Sequence, residues 1–148
     1  MEYVFLIFFH ILGATIWAGG HLILSISILP GALKERNAEV VKHFEAKFEK
    51  LGIPALVVQI LTGIRLAHLF QPEISKWFSF DERISTHIAL KFILLGLTLI
   101  LAVHARLKLV PKLQERNLKF LAFHIIAVTV IATLFVFVGV SIRVGGLY

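Results

Sequence analysis

The fold is decided by one apolar stretch near the start of the chain, Phe9-His10-Ile11-Leu12-Gly13-Ala14-Thr15-Ile16-Trp17-Ala18-Gly19-Gly20-His21. On a helix each residue turns about 100° and rises about 1.5 Å, so His10 and His21 share one face roughly 16 Å apart. Trp17 lies between them, and the small residues Gly13 and Gly20 lie beside them. Two imidazoles at two depths of one membrane helix, flanked by small residues, predict stacked cofactor sites.

The composition indicates a membrane protein. Hydrophobic residues make up 58% of the 148 residues, and the mean hydropathy is +0.89. A membrane span needs about 20 predominantly apolar residues. Four such runs occur, at approximately 3–29, 52–70, 85–105 and 119–142. We therefore predict a single transmembrane domain over residues 1–148, an all-α, integral-membrane, four-helix up-down-up-down bundle.

The connection between the first two runs is itself predicted to be helical. Pro30-Gly31 is a strong stop signal for the first helix. Residues 33–50 then carry apolar side chains at helical spacing among charges, which predicts an amphipathic helix between the first two spans, either a cytoplasmic extension or an interfacial segment. Pro54 suits the first turn of the second membrane helix. No internal repeat is expected from the sequence.

The net charge of +6 reflects membrane topology rather than nucleic-acid binding. Basic residues concentrate in the connections 31–50 and 106–119, so the positive-inside rule places both connections in the cytoplasm and both termini outside. We expect a multi-pass protein of the inner (cytoplasmic) membrane of a bacterium. The chain has no cysteine, and Met1 is its only methionine, which excludes disulfides and soft-metal handling by thiolates or thioethers.

This topology sorts the intramembrane histidines into two layers. The outer layer contains His10, His68 and His87, together with Lys91. The inner layer contains His21, His104 and His124. Haem iron takes one or two axial histidines, and four-helix bundles hold such ligands on facing helices. The layers therefore predict one or two haem b groups per chain, and the site would also include Trp17, Gly13 and Gly20.

Two basic residues within the spans need anionic partners in the apolar interior. Lys91 and Arg65 suit haem propionates; the alternatives are snorkelling for Lys91 and a phospholipid phosphate for Arg65. His68 near the surface suits snorkelling or capping as well as ligation. Gln59, Thr62 and Gly63 form a polar and small face of the second run, which is typical of helix packing. For any single histidine, a hydrogen bond to another helix is the competing interpretation.

Several segments resemble known membrane families. His10 to His21 resembles the first helix of the copper-resistance-D-like (CopD) membrane domain and, through its His…Trp-x-Gly pattern, HemJ-type protoporphyrinogen oxidases. Leu51-Gly-Ile-Pro-Ala-Leu with Leu61-Thr-Gly63 resembles their second helix, and His87-Ile-Ala-Leu-Lys91 with His104 resembles their third. The HemJ resemblance implies haem b and a porphyrinogen substrate, with His10 and Lys91 as the matching functional positions. The CopD resemblance implies copper uptake or tolerance.

These observations lead to one principal function and two alternatives. The principal one is a small b-type cytochrome, an oxidoreductase or electron carrier that links a membrane quinol or other donor to a periplasmic redox partner. The alternatives are copper binding or transport through histidine-bound Cu(II), and HemJ-like porphyrinogen oxidation. His21 and His124 fit a cytochrome better than that enzyme. Beyond the lipid bilayer and the redox partners, the small-residue faces permit a homodimer.

Overall fold

The structure consists of four long helical segments that run back and forth, and the computed structural model describes residues 1–145. The α-helices are α1 (Glu2–Ile23), α2 (Leu29–Glu35), α3 (Ala38–Phe70), α4 (Arg83–His104) and α5 (Leu118–Arg143). Short helical pieces of π or 3-10 type join them at Leu24–Ile28, Ile74–Lys76, Ala105–Leu109, Val110–Lys112 and Glu115–Asn117. No strand occurs in residues 1–145, and four helices are long and apolar enough to cross a membrane. The prediction of an all-α, multi-pass membrane protein is confirmed; residues 146–148 of the predicted domain lie outside the described part.

The first long helix continues past Pro30, which corrects the predicted stop at Pro30-Gly31. A π-helical turn, Leu24–Ile28, connects α1 to α2, and Pro30 lies in the first turn of α2. Proline lacks the N–H that an α-helix requires and its ring clashes with the carbonyl four residues earlier. The wider π turn just before it relieves both problems. The helix ends instead at Arg36, whose φ of 54° is left-handed and reverses the chain.

The second long helix is continuous from Ala38 to Phe70, so the predicted amphipathic segment and the second membrane run are one helix. Asn37 caps its start, because the Asn37 side chain accepts a hydrogen bond of 3.1 Å from the backbone N–H of Glu39. Pro54 was expected in a first turn but lies inside this helix. The packing of α3 along α1 compensates for the hydrogen bond that Pro54 cannot make.

The bundle has two distinct ends. We call the end with the 71–82 connection the 71–82 end. The opposite end, formed by residues 31–50 and 105–118, is the basic end. α1 packs closely on α3 and α5, and α4 packs on α5. α3 and α4 meet mainly at the 71–82 end, where Ala67 and Ile88 contact the buried Trp77. One side of the bundle, between α3 and α4, is therefore loosely packed.

The structure contains an internal repeat that sequence analysis did not find. In the first hairpin, the π turn Leu24–Ile28 is followed two residues later by Pro30. In the second hairpin, the π turn Ala105–Leu109 is followed two residues later by Pro111. Both π turns lie at the basic end and pack into one shared apolar core.

The two hairpins also match at their other end. His10 of α1 bonds the hydroxyl of Thr62 on α3, and His87 of α4 bonds the hydroxyl of Ser141 on α5. Each hairpin thus joins its two helices by one histidine–hydroxyl hydrogen bond. The two hairpins therefore share a π turn followed by proline at one end and a histidine–hydroxyl bond toward the other.

Candidate functional site

His10 is held in one orientation by α3. Its Nδ1 lies 2.9 Å from Oγ1 of Thr62, and that hydroxyl donates its own proton to the carbonyl of Val58 at 2.6 Å. Because the hydroxyl proton is already used, Nδ1 of His10 must carry the proton and donate to Thr62. Nε2 of His10 is then a bare acceptor with no hydrogen-bond partner among residues 1–145. This is the arrangement in which histidines bind metals, with one nitrogen fixed by a hydrogen bond and the other free.

The helix contact around His10 is close. Gln59 Nε2 donates to the backbone carbonyl of His10 at 3.2 Å. A Cβ on Gly63 would lie 3.1 Å from Cε1 of His10, and a Cβ on Gly13 would lie 2.9 Å from the carbonyl oxygen of Ala55. Glycine at both positions lets α1 and α3 approach. Gly13 therefore serves the helix contact, and the space beside it is already filled by α3.

Lys91 of α4 extends along α5. Its Nζ lies 3.3 Å from the position that a Cβ on Gly139 of α5 would occupy. Lys91 makes no ion pair in the described part of the chain. None of the nine Asp and Glu residues of the sequence lies in α4 or α5; those of α1 and α3 are Glu2, Glu39, Glu45 and Glu49. Lys91 therefore has no carboxylate counter-ion among the described residues.

His87 is fully occupied as a hydrogen-bonding group. Nδ1 lies 2.7 Å from the carbonyl of Arg83, and Nε2 lies 2.9 Å from Oγ of Ser141. The side chain is 3% exposed. His87 therefore joins α4 to α5 and offers no free nitrogen here, so the structure does not assemble His10 and His87 into a ligand pair.

Arg65 and His68 lie on the outside of the bundle. Nε of Arg65 pairs with Oε1 of Glu2 at 2.6 Å, and both side chains are exposed. His68 is exposed near the end of α3. The structure places neither of them in the interior near Lys91.

At the basic end, His104 and His124 are brought together. Nδ1 of His124 donates to the carbonyl of Phe120 at 3.1 Å, which leaves its Nε2 as an acceptor. Nδ1 of His104 lies 2.9 Å from that Nε2, so His104 donates and its own Nε2 remains bare. The rings are stacked, with centroids 5.0 Å apart. Sequence analysis placed both histidines in the inner layer, but the direct bond between them appears only in the structure.

Trp17 and His21 form a buried aromatic pair whose nitrogens have no partners. Their ring centroids lie 4.6 Å apart in an edge-on arrangement, and Phe48 of α3 covers His21 at 5.5 Å. Within residues 1–145, Nε1 of Trp17 and both ring nitrogens of His21 are buried without a hydrogen bond, as is Oγ1 of Thr98. Gly20 lies against the ring of Phe48. The sequence analysis identified this face of α1 but missed Phe48, whose only signal was its helical spacing.

The remaining polar groups add no further cluster. No group of three or more His, Cys, Asp or Glu side chains that could hold a metal ion occurs in the described residues. Thr62 and Gln59, which position His10, were visible in the sequence as a polar face but were assigned to helix packing. No protein-family model, curated protein or solved structure matches this chain. The functional argument therefore rests on the geometry.

Proposed function

We propose that this chain is an integral-membrane haem b protein that carries electrons. The observation that carries the proposal is the bare Nε2 of His10, whose ring the hydrogen bond to Thr62 holds in one orientation within an apolar bundle. His10 would be an axial ligand, and Lys91 would bind a propionate carboxylate. A bound haem would supply a one-electron centre in the membrane.

The donor set fits haem better than a bare metal ion. Haem already supplies four equatorial nitrogens and needs only one or two ligands from the protein. A bare ion at His10 would need further protein ligands beside it, and no group of three or more His, Cys, Asp or Glu side chains that could hold a metal ion occurs in residues 1–145. Haem also brings the carboxylates that Lys91 lacks. We place one haem at His10, and Arg65 and His68 take no part because they face outward.

The basic end supports a separate, second candidate, which is copper. Because Nδ1 of His124 donates to the carbonyl of Phe120, Nε2 of His124 carries no proton and could bind a metal. Nδ1 of His104 faces this nitrogen. A copper ion between the two nitrogens would separate them to about 4 Å, twice a typical metal–imidazole bond of about 2.0–2.1 Å. The observed 2.9 Å is a hydrogen bond instead. Copper binding to purified protein, lost in His124→Ala and retained in His43→Ala, would support this candidate.

Porphyrinogen oxidation is a third candidate, favoured by the resemblance in which His10 and Lys91 match the functional positions of HemJ-type oxidases. It predicts that the chain rescues a haem-auxotrophic strain deficient in that oxidation, and that Lys91→Ala abolishes the rescue. Absence of rescue by the unaltered chain removes this candidate and leaves the electron-carrier proposal intact.

The orientation in the membrane belongs to the same proposal. The connections at the basic end carry most of the lysines and arginines, which supports a cytoplasmic location for that end and an outer location for both termini. His10 then lies nearer the outer face of a bacterial inner membrane, where it could serve a periplasmic acceptor. Homodimer formation through the open side of the bundle would also be compatible with this orientation.

The deciding experiment is an optical spectrum of the full chain purified after expression with haem supplied. We expect a Soret band and, on reduction, α and β bands. His10→Ala should lose most of this absorbance, and His68→Ala is the matched control because His68 is exposed. A protein that folds but shows no Soret band would overturn the proposal.

A further inference from the structure

The nitrogens of Trp17 and His21 form a second polar site at a different depth from His10. Counting from Glu2, His21 lies about 28 Å along the helix, close to the roughly 30 Å thickness of a hydrocarbon core. The site therefore lies where apolar bilayer gives way to the basic end. His21 is only 9% exposed and Trp17 only 8%.

Three buried nitrogens without partners in one helical turn point to a missing ligand. Buried polar groups in native proteins are almost always hydrogen-bonded. Nε1 of Trp17 can only donate, whereas neutral His21 can donate through one ring nitrogen and accept through the other. The backbone carbonyl of His21 is already satisfied, because it accepts a hydrogen bond from the backbone N–H of Leu24. The side-chain nitrogens alone are left for a ligand.

Beside these nitrogens the ring of Phe48 packs against Gly20 of α1 and lies 3.0 Å from the position of a Cβ on Gly52. A Cβ on residue 20 would overlap this ring, so glycine at position 20 is what allows the contact. We call the space that the ring fills the slot. Phe48 is itself only half-buried, so a rotation of its side chain would free a flat, glycine-walled space next to His21.

We propose that this slot binds the head group of a quinone or quinol. The ligand must be lipid-soluble because the long apolar helices surround the site, and planar because the slot admits a ring. It must accept hydrogen bonds from Trp17 and from His21. In its reduced form it can also donate one to the bare nitrogen of His21, as a quinol hydroxyl does. Binding rests on the observed nitrogens, and only the role as electron source for His10 rests on the proposed function.

The test uses fluorescence, because the chain has only two tryptophans and one of them lines the slot. The full chain in nanodiscs is titrated with a short-tailed benzoquinone, which quenches nearby indole emission. We expect saturable quenching that reports Trp17, and an apparent Kd at least tenfold weaker in His21→Gln. His43→Gln is the matched control, since His43 lies exposed on α3. Haem content does not enter this readout, so a failure here leaves the haem proposal untouched.

A second measurement, of thermal stability, keeps the proposal testable if the His21→Gln variant does not fold. The same benzoquinone should raise the Tm of the unaltered chain, and Trp17→Phe, which removes the indole N–H donor but keeps an aromatic ring, should reduce that rise at least by half. Quenching that grows linearly with quinone, as simple partitioning into lipid gives, would overturn the proposal. Saturable quenching of equal strength in the unaltered chain and in His21→Gln would overturn it too, and would leave ordered water as the partner of these nitrogens.

Discussion

His10 and His87 make equivalent cross-helix bonds, but only His10 keeps a free ring nitrogen. In His10, Nδ1 bonds Thr62. In His87, Nε2 bonds Ser141 and Nδ1 bonds the carbonyl of Arg83. His10 lies 14 residues before the π turn of its hairpin and His87 lies 18 residues before its own, so His87 is about one helical turn farther from the basic end. The same side chain thus serves as a candidate ligand in one hairpin and as a structural link in the other.

Thr62→Val should weaken haem binding while the protein remains folded. The valine cannot accept from Nδ1 of His10, so the tautomer and the ring orientation are no longer fixed. Loss of such a hydrogen bond to a ligand histidine typically lowers metal affinity by about 10–100-fold. Haem titration of the purified protein measures the effect. Thr15→Val, at an exposed threonine that bonds only its own helix, should bind haem normally.

Ser141→Ala should destabilise the fold and leave the site at His10 unchanged. It removes the buried partner of Nε2 of His87, and an unsatisfied buried group costs about 1–3 kcal/mol. Thermal unfolding in detergent provides the measurement, with Ser25→Ala as the control because Ser25 bonds only a carbonyl of its own helix. Equal Tm values for the two variants would mean that the hydrogen bond between His87 and Ser141 does not contribute to the stability of the fold.

Gly13→Ala should destabilise the contact between α1 and α3. The added methyl would lie 2.7 Å from Cγ of Gln59 and 2.9 Å from the carbonyl oxygen of Ala55, so backbone must shift. Overpacking of this kind costs about 1–3 kcal/mol. Gly96→Ala is the matched control: nothing lies within 4 Å of its added methyl, and alanine favours the helix by up to about 1 kcal/mol. The two substitutions should therefore shift Tm in opposite directions.

His104→Leu and His124→Leu should be coupled. Because the two rings are bonded directly, the loss of either one leaves the other with an unused nitrogen at the basic end. A double-mutant cycle on unfolding free energy should give a coupling of about 0.5–3 kcal/mol. Strict additivity would indicate that the bond does not form in the membrane.

The number and length of the spans could be predicted because they depend only on runs of apolar residues. The helix ends were harder to predict. Pro30 predicts a stop from its local sequence, but the π turn before it lets the helix continue. Depth along the bundle follows from the rise per residue, which is why His104 and His124 were assigned to one layer. Rotation about the helix axes does not follow from the sequence, so the free nitrogen of His10 and the engaged ones of His87 could not be distinguished.

The two π turns also set the phase of the long helices. Each π turn holds one residue more than an α turn, so the side-chain positions beyond it are rotated by about 100° relative to an uninterrupted helix. In the first helix this joint stands between His21 and the buried Leu29. Removing Ser25 would restore a regular helix and turn Leu29 out of its core. The inserted residue is what allows one helix to present a histidine face at one level and a differently phased apolar face at the next.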